Sequence, residues 1–409
     1  MSGTLPEEIY AELDRRLTPV DALRLTRYPG EWPARQPVHT CYVPADAVVP
    51  KLAASWGQAA LDALDEHGLP NLRLDPALIE AVLPRVRAKL AAEPVEDLRV
   101  DVEDGYRRSA EFEDDDVLRA AGSLASDVAA GAAPPSIGIR AKSLEATTRR
   151  RGVRSLDLFL GELGAARAVV TLPKVSDVDQ VRAFLPLLDV LQSTHRVALD
   201  LELQIETPQA VLGPDGTAAL AQMVHVAGPR LIGLHYGTYD YSAALGIAAA
   251  HQASDHPAAD FAKQLMQVAV AGTGAHPVDG STNVLPVGDR AQVHAAWQLH
   301  ARLVGRALTR GFYQGWDLHP AQLVTRYTAT YAFFRAALPG AVTRLAAYLD
   351  RVDGGTLDEP ATARALAGVV LRGLDCGAFG EEEVSAYGGP DRPTLDRLAG
   401  RRPGGPSGR

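Results

Sequence analysis

The stretch Val197-Ala198-Leu199-Asp200-Leu201-Glu202-Leu203-Gln204-Ile205-Glu206 alternates without a break. Its odd positions carry Val, Leu, Leu, Leu and Ile, and its even positions carry Ala, Asp, Glu, Gln and Glu. A strand turns successive side chains to opposite faces, so the segment predicts one apolar face and one acidic face. Two shorter segments read the same way. Leu98, Val100 and Val102 oppose Arg99, Asp101 and Glu103, and Ile137 and Ile139 oppose Arg140. Strands of an open, doubly wound sheet are usually apolar on both faces. A polar face fits a closed barrel whose interior carries function near one end.

Outward from this strand, strand-like and helix-like segments alternate, which implies a parallel sheet. Strands are expected at 39–43, 98–103, 137–140, 169–174, 197–205 and 231–236, with a Gly-rich segment at 273–279 and a last strand over 311–316. Leu52, Trp56, Ala60 and Leu64 keep helical spacing until Gly68. Further helices are expected over 76–92, 114–130 and 258–271. Ser176-x-x-Asp179 reads as the cap of another helix, with Val178, Val181, Leu185 and Leu188 on one face. Val293, Trp297, Val304 and Leu308 mark one more. The acidic run from Glu111 to Asp116 suits a helix start, where the dipole favours acids. The sum is roughly eight strand–helix units in about 280 residues, the size of a (β/α)8 TIM barrel. The chain divides into a lead-in over 1–35 with one short helix, a barrel over 36–322, a helical C-terminal extension over 323–399, and a Gly-, Pro- and Arg-rich tail over 400–409 read as disordered.

Bulk properties narrow the function classes. With 46 % apolar and 22 % charged residues, the 409-residue chain has ordinary globular composition. A net charge of −9 argues against a nucleic-acid partner, which needs a basic stripe. No run of 18 apolar residues is present to span a membrane, and the N-terminus lacks the pattern of a secretory signal. Cys41 and Cys376 are too few for a disulfide framework or a zinc site and read as reduced thiols of a cytoplasmic protein.

Barrel enzymes carry their chemistry at the C-terminal ends of the strands. Those ends hold Glu103 and Asp104, Arg140, Lys174, Glu206, the run Gly237-Thr238-Tyr239-Asp240, and a last strand leading to Asp317 and His319. Several carboxylates with no thiol suit a hard cation such as Mg2+ or Mn2+, and an arginine suits a substrate carboxylate. Glu202 shares a face with Glu206, but about 13 Å of strand separates them, so they cannot share one ion. Lys174 stands where an imine-forming lysine could sit, but surrounding anions would hold it as ammonium and make it a poor nucleophile. His235, Tyr239 and Tyr241 read as interior or packing groups.

Six stretches together resemble the family of citrate lyase β-subunits, malyl-CoA lyases and HpcH/HpaI-type class II aldolases, with malate synthase as a relative. They are Val100-Asp101-Val102-Glu103-Asp104, Gly138-Ile139-Arg140, Leu172-Pro173-Lys174-Val175, Ile205-Glu206-Thr207-Pro208, Gly237-Thr238-Tyr239-Asp240-Tyr241 leading to Leu245-Gly246, and Gly311-Phe312 through Gly315 to His319-Pro320-Ala321-Gln322. They follow the family's order over about residues 38–322. The resemblance implies Mg2+ ligands at Glu206 and Asp240, a substrate-carboxylate arginine at Arg140, an acidic pair beside the metal at Glu103 and Asp104, and substrate contacts at Gly237 and Thr238. It implies a lyase or aldolase acting on pyruvate, oxaloacetate or glyoxylate through a metal-stabilised enolate, in a homo-oligomer (trimer or hexamer).

Three departures qualify the resemblance. The aldolases carry a histidine base after strand two, where this chain has Asp104-Gly105. The Gly-Thr-Tyr-Asp-Tyr stretch leans toward the Trp-Asp-Tyr form of malate synthases. The chain also runs almost 90 residues past His319-Pro320, as surface between subunits or as a lid. An acyl-CoA condensing or cleaving enzyme, using a CoA thioester as second substrate, is therefore the alternative. A non-catalytic metabolite-binding barrel is a further one.

Overall fold

The computed structural model describes residues 4–31, 34–350 and 359–401. The elements run α1 (Glu7–Arg27), β1 (His39–Pro44), α2 (Leu52–His67), α3 (Pro76–Ala92), β2 (Asp97–Asp101), α4 (Glu113–Ala129), β3 (Ser136–Arg140), α5 (Arg149–Leu163), β4 (Arg167–Leu172), α6 (Val178–His195), β5 (Ala198–Ile205), α7 (Pro208–Val211), α8 (Ala219–Ala227), β6 (Leu231–Tyr236), α9 (Thr238–Ala244), α10 (Pro257–Val270), β7 (His276–Val278), α11 (Arg290–Thr309), β8 (Gly315–Asp317), α12 (Gln322–Asp350), α13 (Pro360–Cys376), α14 (Glu381–Ala386) and α15 (Arg392–Ala399). All eight strands are parallel, in the order β7-β6-β5-β4-β3-β2-β1-β8. A bridge between Asp279 and Gly315, with Asp279 N–H donating to Gln314 O at 2.9 Å, joins the two ends and closes the barrel. This is a (β/α)8 barrel with a helical extension.

The alternation in β5 has the expected consequence. Leu199, Leu201, Leu203 and Ile205 are buried in the apolar core under the helices. Glu202, on the other face, bonds across the barrel to Arg99 of β2 at 2.6 Å. Asp97 and Thr171 join this layer. Trp316 donates to His235 Nδ1 at 3.1 Å. Indole nitrogen only donates, so Nδ1 accepts, and Nε2 lies 3.2 Å from Glu202. The lower barrel is therefore an ionic layer, and Asp97, Arg99, Glu202 and His235 also line a cavity of about 310 Å³ at the N-terminal ends of the strands.

Several expectations need correction. The lead-in helix is long, with 21 residues. Helix α6 is capped by Asp177, paired with Gln180, rather than by Ser176; Phe184 fills its buried face while Leu185 is only partly buried. The last strand is Gly315–Asp317, because Gly311 takes φ +83° and turns the chain after α11. Asp317 is not at the rim. Alternation turns Trp316 inward and Asp317 outward, where Arg326 of α12 grips it at 3.0 Å and His39 and His300 approach at 3.2 and 3.1 Å. His319 Nδ1 accepts from Ala321 N–H at the start of α12, a structural bond.

Helix α12 takes the place of the eighth barrel helix and packs on α2, α3, α11 and α13. Arg372 of α13 stacks on Tyr313, just before β8, so this part of the extension lies toward the N-terminal end of the strands. Gly400 ends α15 in the left-handed region, and Arg401 is buried against Asp375. The rest of the tail read as disordered, from 402 on, lies outside the described residues. Cys41 and Cys376 are buried free thiols. Among the described residues no helix is long and apolar enough to cross a membrane.

Candidate active site

The C-terminal rim begins where β2 stops. Asp101 accepts from the N–H groups of Glu103 at 2.9 Å and Gly105 at 3.0 Å, which turns the chain and projects Glu103 and Asp104 over the barrel. A Cβ on Gly105 would stand 2.3 Å from Asp101 Oδ2. The register places Asp101 opposite Arg140 on β3. The carboxylate accepts from Arg140 Nε at 2.7 Å and Nη2 at 2.5 Å. Arg140 also lies over the rings of Tyr42 and Trp316, at 4.9 and 5.8 Å from their centroids. Part of its guanidinium fork is thus committed to Asp101. Nη1 faces Glu103 at 3.9 Å and the Gln204 amide at 3.3 Å. With its oxygen on that arginine, Gln204 turns its nitrogen to Glu206 Oε1, also at 3.3 Å.

Lys174, two residues past β4, adopts the left-handed region with φ +52°. Its backbone N–H donates to Glu206 Oε1 at 2.7 Å. Its Nζ reaches Glu103 at 2.6 Å, Asp104 at 2.8 Å and Asp240 at 3.1 Å. Glu206 is fixed from the far side as well. Thr207 donates to Val175 O and caps α7, whose first residue is Pro208. The start of α9 crosses so close that a Cβ on Gly237 would lie 2.3 Å from both Cβ and Oε2 of Glu206. Asp240 lies in the first turn of α9 and is partly exposed. Thr238 was expected to touch substrate, but it is buried and donates to Ser281 O at 3.2 Å, which positions the turn. Tyr239 OH accepts from Asn283 N–H, and Tyr241 is buried with its ring edge-on to Tyr236.

The rim therefore brings together Glu103, Asp104, Arg140, Lys174, Glu206 and Asp240. Burial pushes the Glu206 carboxyl up to about 8, against the pull of Lys174 and Arg140. Burial also raises Glu103, to about 7. Asp104 is held near 2, where the Glu103 hydrogen bond and Lys174 outweigh the effect of burial. Lys174 is pushed well above the ordinary lysine range: Glu103 and Glu206 outweigh its desolvation. Four carboxyl groups share one ammonium, since Arg140 is already matched by Asp101.

That excess of oxygen donors fits a hard divalent cation. Among the described residues no three His, Cys, Asp or Glu side chains are already drawn together as a metal site. The Lys174 ammonium sits among these acids instead, a unit positive charge where a divalent ion would find its ligands. Glu206, the most buried acid of the set, gains most from added positive charge.

Asp101 and Gln204 complete the rim, and neither stands at the end of the strand expected from the sequence. Both are polar residues on an interior strand face, but the partner Arg140 follows from strand register for Asp101 and from approach across the barrel interior for Gln204, neither of which sequence displays.

A family model described as "Domain of unknown function (DUF6986)" matches residues 17–403. No match is found among the curated proteins. The fold is shared with a citrate lyase from Burkholderia xenovorans, at 20 % identity and TM-score 0.57, over 88 % of this chain and 98 % of that one. It is also shared with the protein CitE from Mycobacterium tuberculosis in complex with magnesium, acetoacetate and coenzyme A, at 17 % identity and TM-score 0.51, over 84 % and 99 %. The barrel fold is thus the one that these two proteins share.

Proposed function

The chain belongs to the family of that domain of unknown function, DUF6986, and we propose that it is a Mg2+-dependent carbon–carbon lyase or aldolase acting on a small 2-oxo acid of the pyruvate, oxaloacetate or glyoxylate type. One observation carries the reading. A positive charge, Lys174 Nζ, lies at 2.6–3.1 Å from Glu103, Asp104 and Asp240, and Gln204 links Glu206, beside it, to Arg140. A cation site next to a guanidinium suits a molecule with a carboxylate beside a carbonyl.

When bound, Mg2+ or Mn2+ at Glu206 and Asp240 supplies a Lewis acid for charge developing on the 2-oxo oxygen. The chain's own residues do the rest. Arg140 binds the substrate carboxylate through Nη1, while Asp101 and the two aromatic rings keep its plane fixed. Glu103, pushed up to about 7, can hold or release a proton at neutral pH. It takes the place of the histidine base missing after β2. Lys174 stays an ammonium among its acids, which disfavours an imine route. The magnesium bound by the M. tuberculosis protein that shares this fold supports the choice of ion, and its acetoacetate, a 3-oxo acid, supports a small oxo acid as ligand.

That protein also holds coenzyme A, which favours an acyl-CoA reaction as the second reading. The surface cleft beside Lys174 argues for a smaller partner. It is lined by Glu145, Asp177, Ser176, Thr207 and Gln209, and the one cation in its lining is Lys174 itself, already held by acids. Polyphosphate groups would meet repulsion there. The reading is tested by following loss of the pyruvate methyl proton signal in D2O by NMR. Exchange that needs Mg2+ and stops with a chelator is expected; exchange indifferent to chelator would refute it.

A further inference from the structure

Helix α1 is 21 residues long, and none of them is buried by the described residues. Ile9, Leu13, Leu17, Val20 and Leu23 recur at helical spacing and form one stripe, with Tyr10 at its edge. Each of these six side chains is 45–56 % exposed. Its described ties to the barrel come past its end. Tyr28 OH meets His225 Nε2 at 3.3 Å, Gly30 N–H donates to Gly272 O at 2.8 Å, and Glu31 accepts from Arg372 at 2.6 Å. An isolated helix of this length is marginal in water, because most helical stability comes from packing. Pro19 in its interior removes one more backbone hydrogen bond. The stripe needs a cover that the described residues of its own chain do not provide.

We infer that the cover is α1 of a second copy, packed antiparallel. The charges at the two ends of the helix favour that direction. Its first turn carries Glu7 and Glu8, and its last turn carries Arg24 and Arg27. An antiparallel pair sets the acids of each copy beside the arginines of the other, whereas a parallel pair sets like charges together. Such a contact is isologous and closes as a two-fold dimer. Two stripes of six half-exposed side chains remove on the order of 1,000 Å² from water, where specific interfaces begin. The attachment points, on α8, before β7 and on α13, belong to the N-terminal side of the barrel. Pairing there leaves both C-terminal rims open. Helix α12, by contrast, spends its apolar face on its own chain.

Sedimentation velocity of the full chain from 1 to 100 μM tests this. The wild type should approach twice the 43.5 kDa chain mass, and Leu13→Asp with Leu17→Asp should leave monomers. Glu7→Lys with Glu8→Lys should weaken association at least about tenfold, and Arg24→Glu with Arg27→Glu added in the same chain should restore it. A wild type monomeric at 100 μM, an assembly unchanged by the two aspartates, or a charge reversal that is not rescued would each overturn the inference. So would a monomer that co-sediments with anionic vesicles, which would make the stripe a membrane contact.

Discussion

Lys174 donates its backbone N–H to Glu206 at 2.7 Å while its ammonium bonds Glu103, Asp104 and Asp240. One residue thus orients the buried acid and neutralises its neighbours. Lys174→Met keeps the backbone bond and removes the charge. A unit charge about 4 Å away contributes on the order of 1–4 kcal/mol at the dielectric of a protein surface or of water. Mn2+ affinity measured by titration calorimetry should therefore rise at least about fivefold in this variant, because the cation no longer competes. Borohydride with pyruvate should leave no adduct on wild-type Lys174. Weaker metal binding in the variant, or a trapped lysine, would count against the metal route.

Glu206 gives that metal binding a pH dependence. Its carboxyl titrates at about 8 in the folded protein against an ordinary 4.5, so folding favours its neutral form. This stability is fully present below pH 4.5 and is lost as pH rises through 8. A cation needs the ionised form, so binding releases the proton. Calorimetry in buffers of different ionisation enthalpy should give about one proton released per Mg2+ at pH 7, and clearly less in Glu206→Gln. Thermal melts should show Mg2+ protecting more at pH 8 than at pH 6. No proton release from the wild type would contradict the placement of the ion.

Arg140 has Nε and Nη2 on Asp101 and turns Nη1 toward the Glu103 side. Arg140→Lys keeps a charge but loses the planar fork that both partners use. A charge-assisted hydrogen bond is worth roughly 1.5–3 kcal/mol, so kcat/KM for the 2-oxo acid should fall at least about tenfold. Kinetics equal to wild type would remove Arg140 from the substrate site.

Gly237 is a steric test of the same centre. A methyl group there would lie 2.3 Å from Glu206 Cβ and Oε2, and the Lys174 N–H bond resists any swing of that side chain. Gly237→Ala should weaken Mn2+ binding at least about tenfold. Overpacking should cost about 1–3 kcal/mol in urea unfolding, leaving the circular dichroism of the barrel intact. Undiminished metal affinity would show that Glu206 is not a ligand.

What could be read from the sequence follows the length of the elements. Strand β5 has eight residues and an unbroken period of two, enough to reveal both faces and the acid at its end. Strands β7 and β8 have three residues each, too few for a period, and the last strand was placed early because the turn at Gly311 resembles a strand start. Glu103, Arg140, Lys174 and Glu206 were legible because strand ends and rim coincide in a barrel. The pairing of Asp101 with Arg140 was not, because it depends on register between β2 and β3. Nor was the left-handed backbone of Lys174, a conformation that a lysine does not advertise. Helix α1 reads as short because the segment is rich in charges and carries Pro19, and no core face marks its extent.

The most direct test is a crystal grown with Mn2+ and pyruvate and measured at the manganese absorption edge. One anomalous peak should appear about 2.1–2.2 Å from carboxylate oxygens of both Glu206 and Asp240, with the pyruvate carboxylate on Arg140 Nη1 and Lys174 Nζ displaced from Asp240. A manganese peak away from these two carboxylates, or pyruvate joined covalently to Lys174 Nζ, would contradict it.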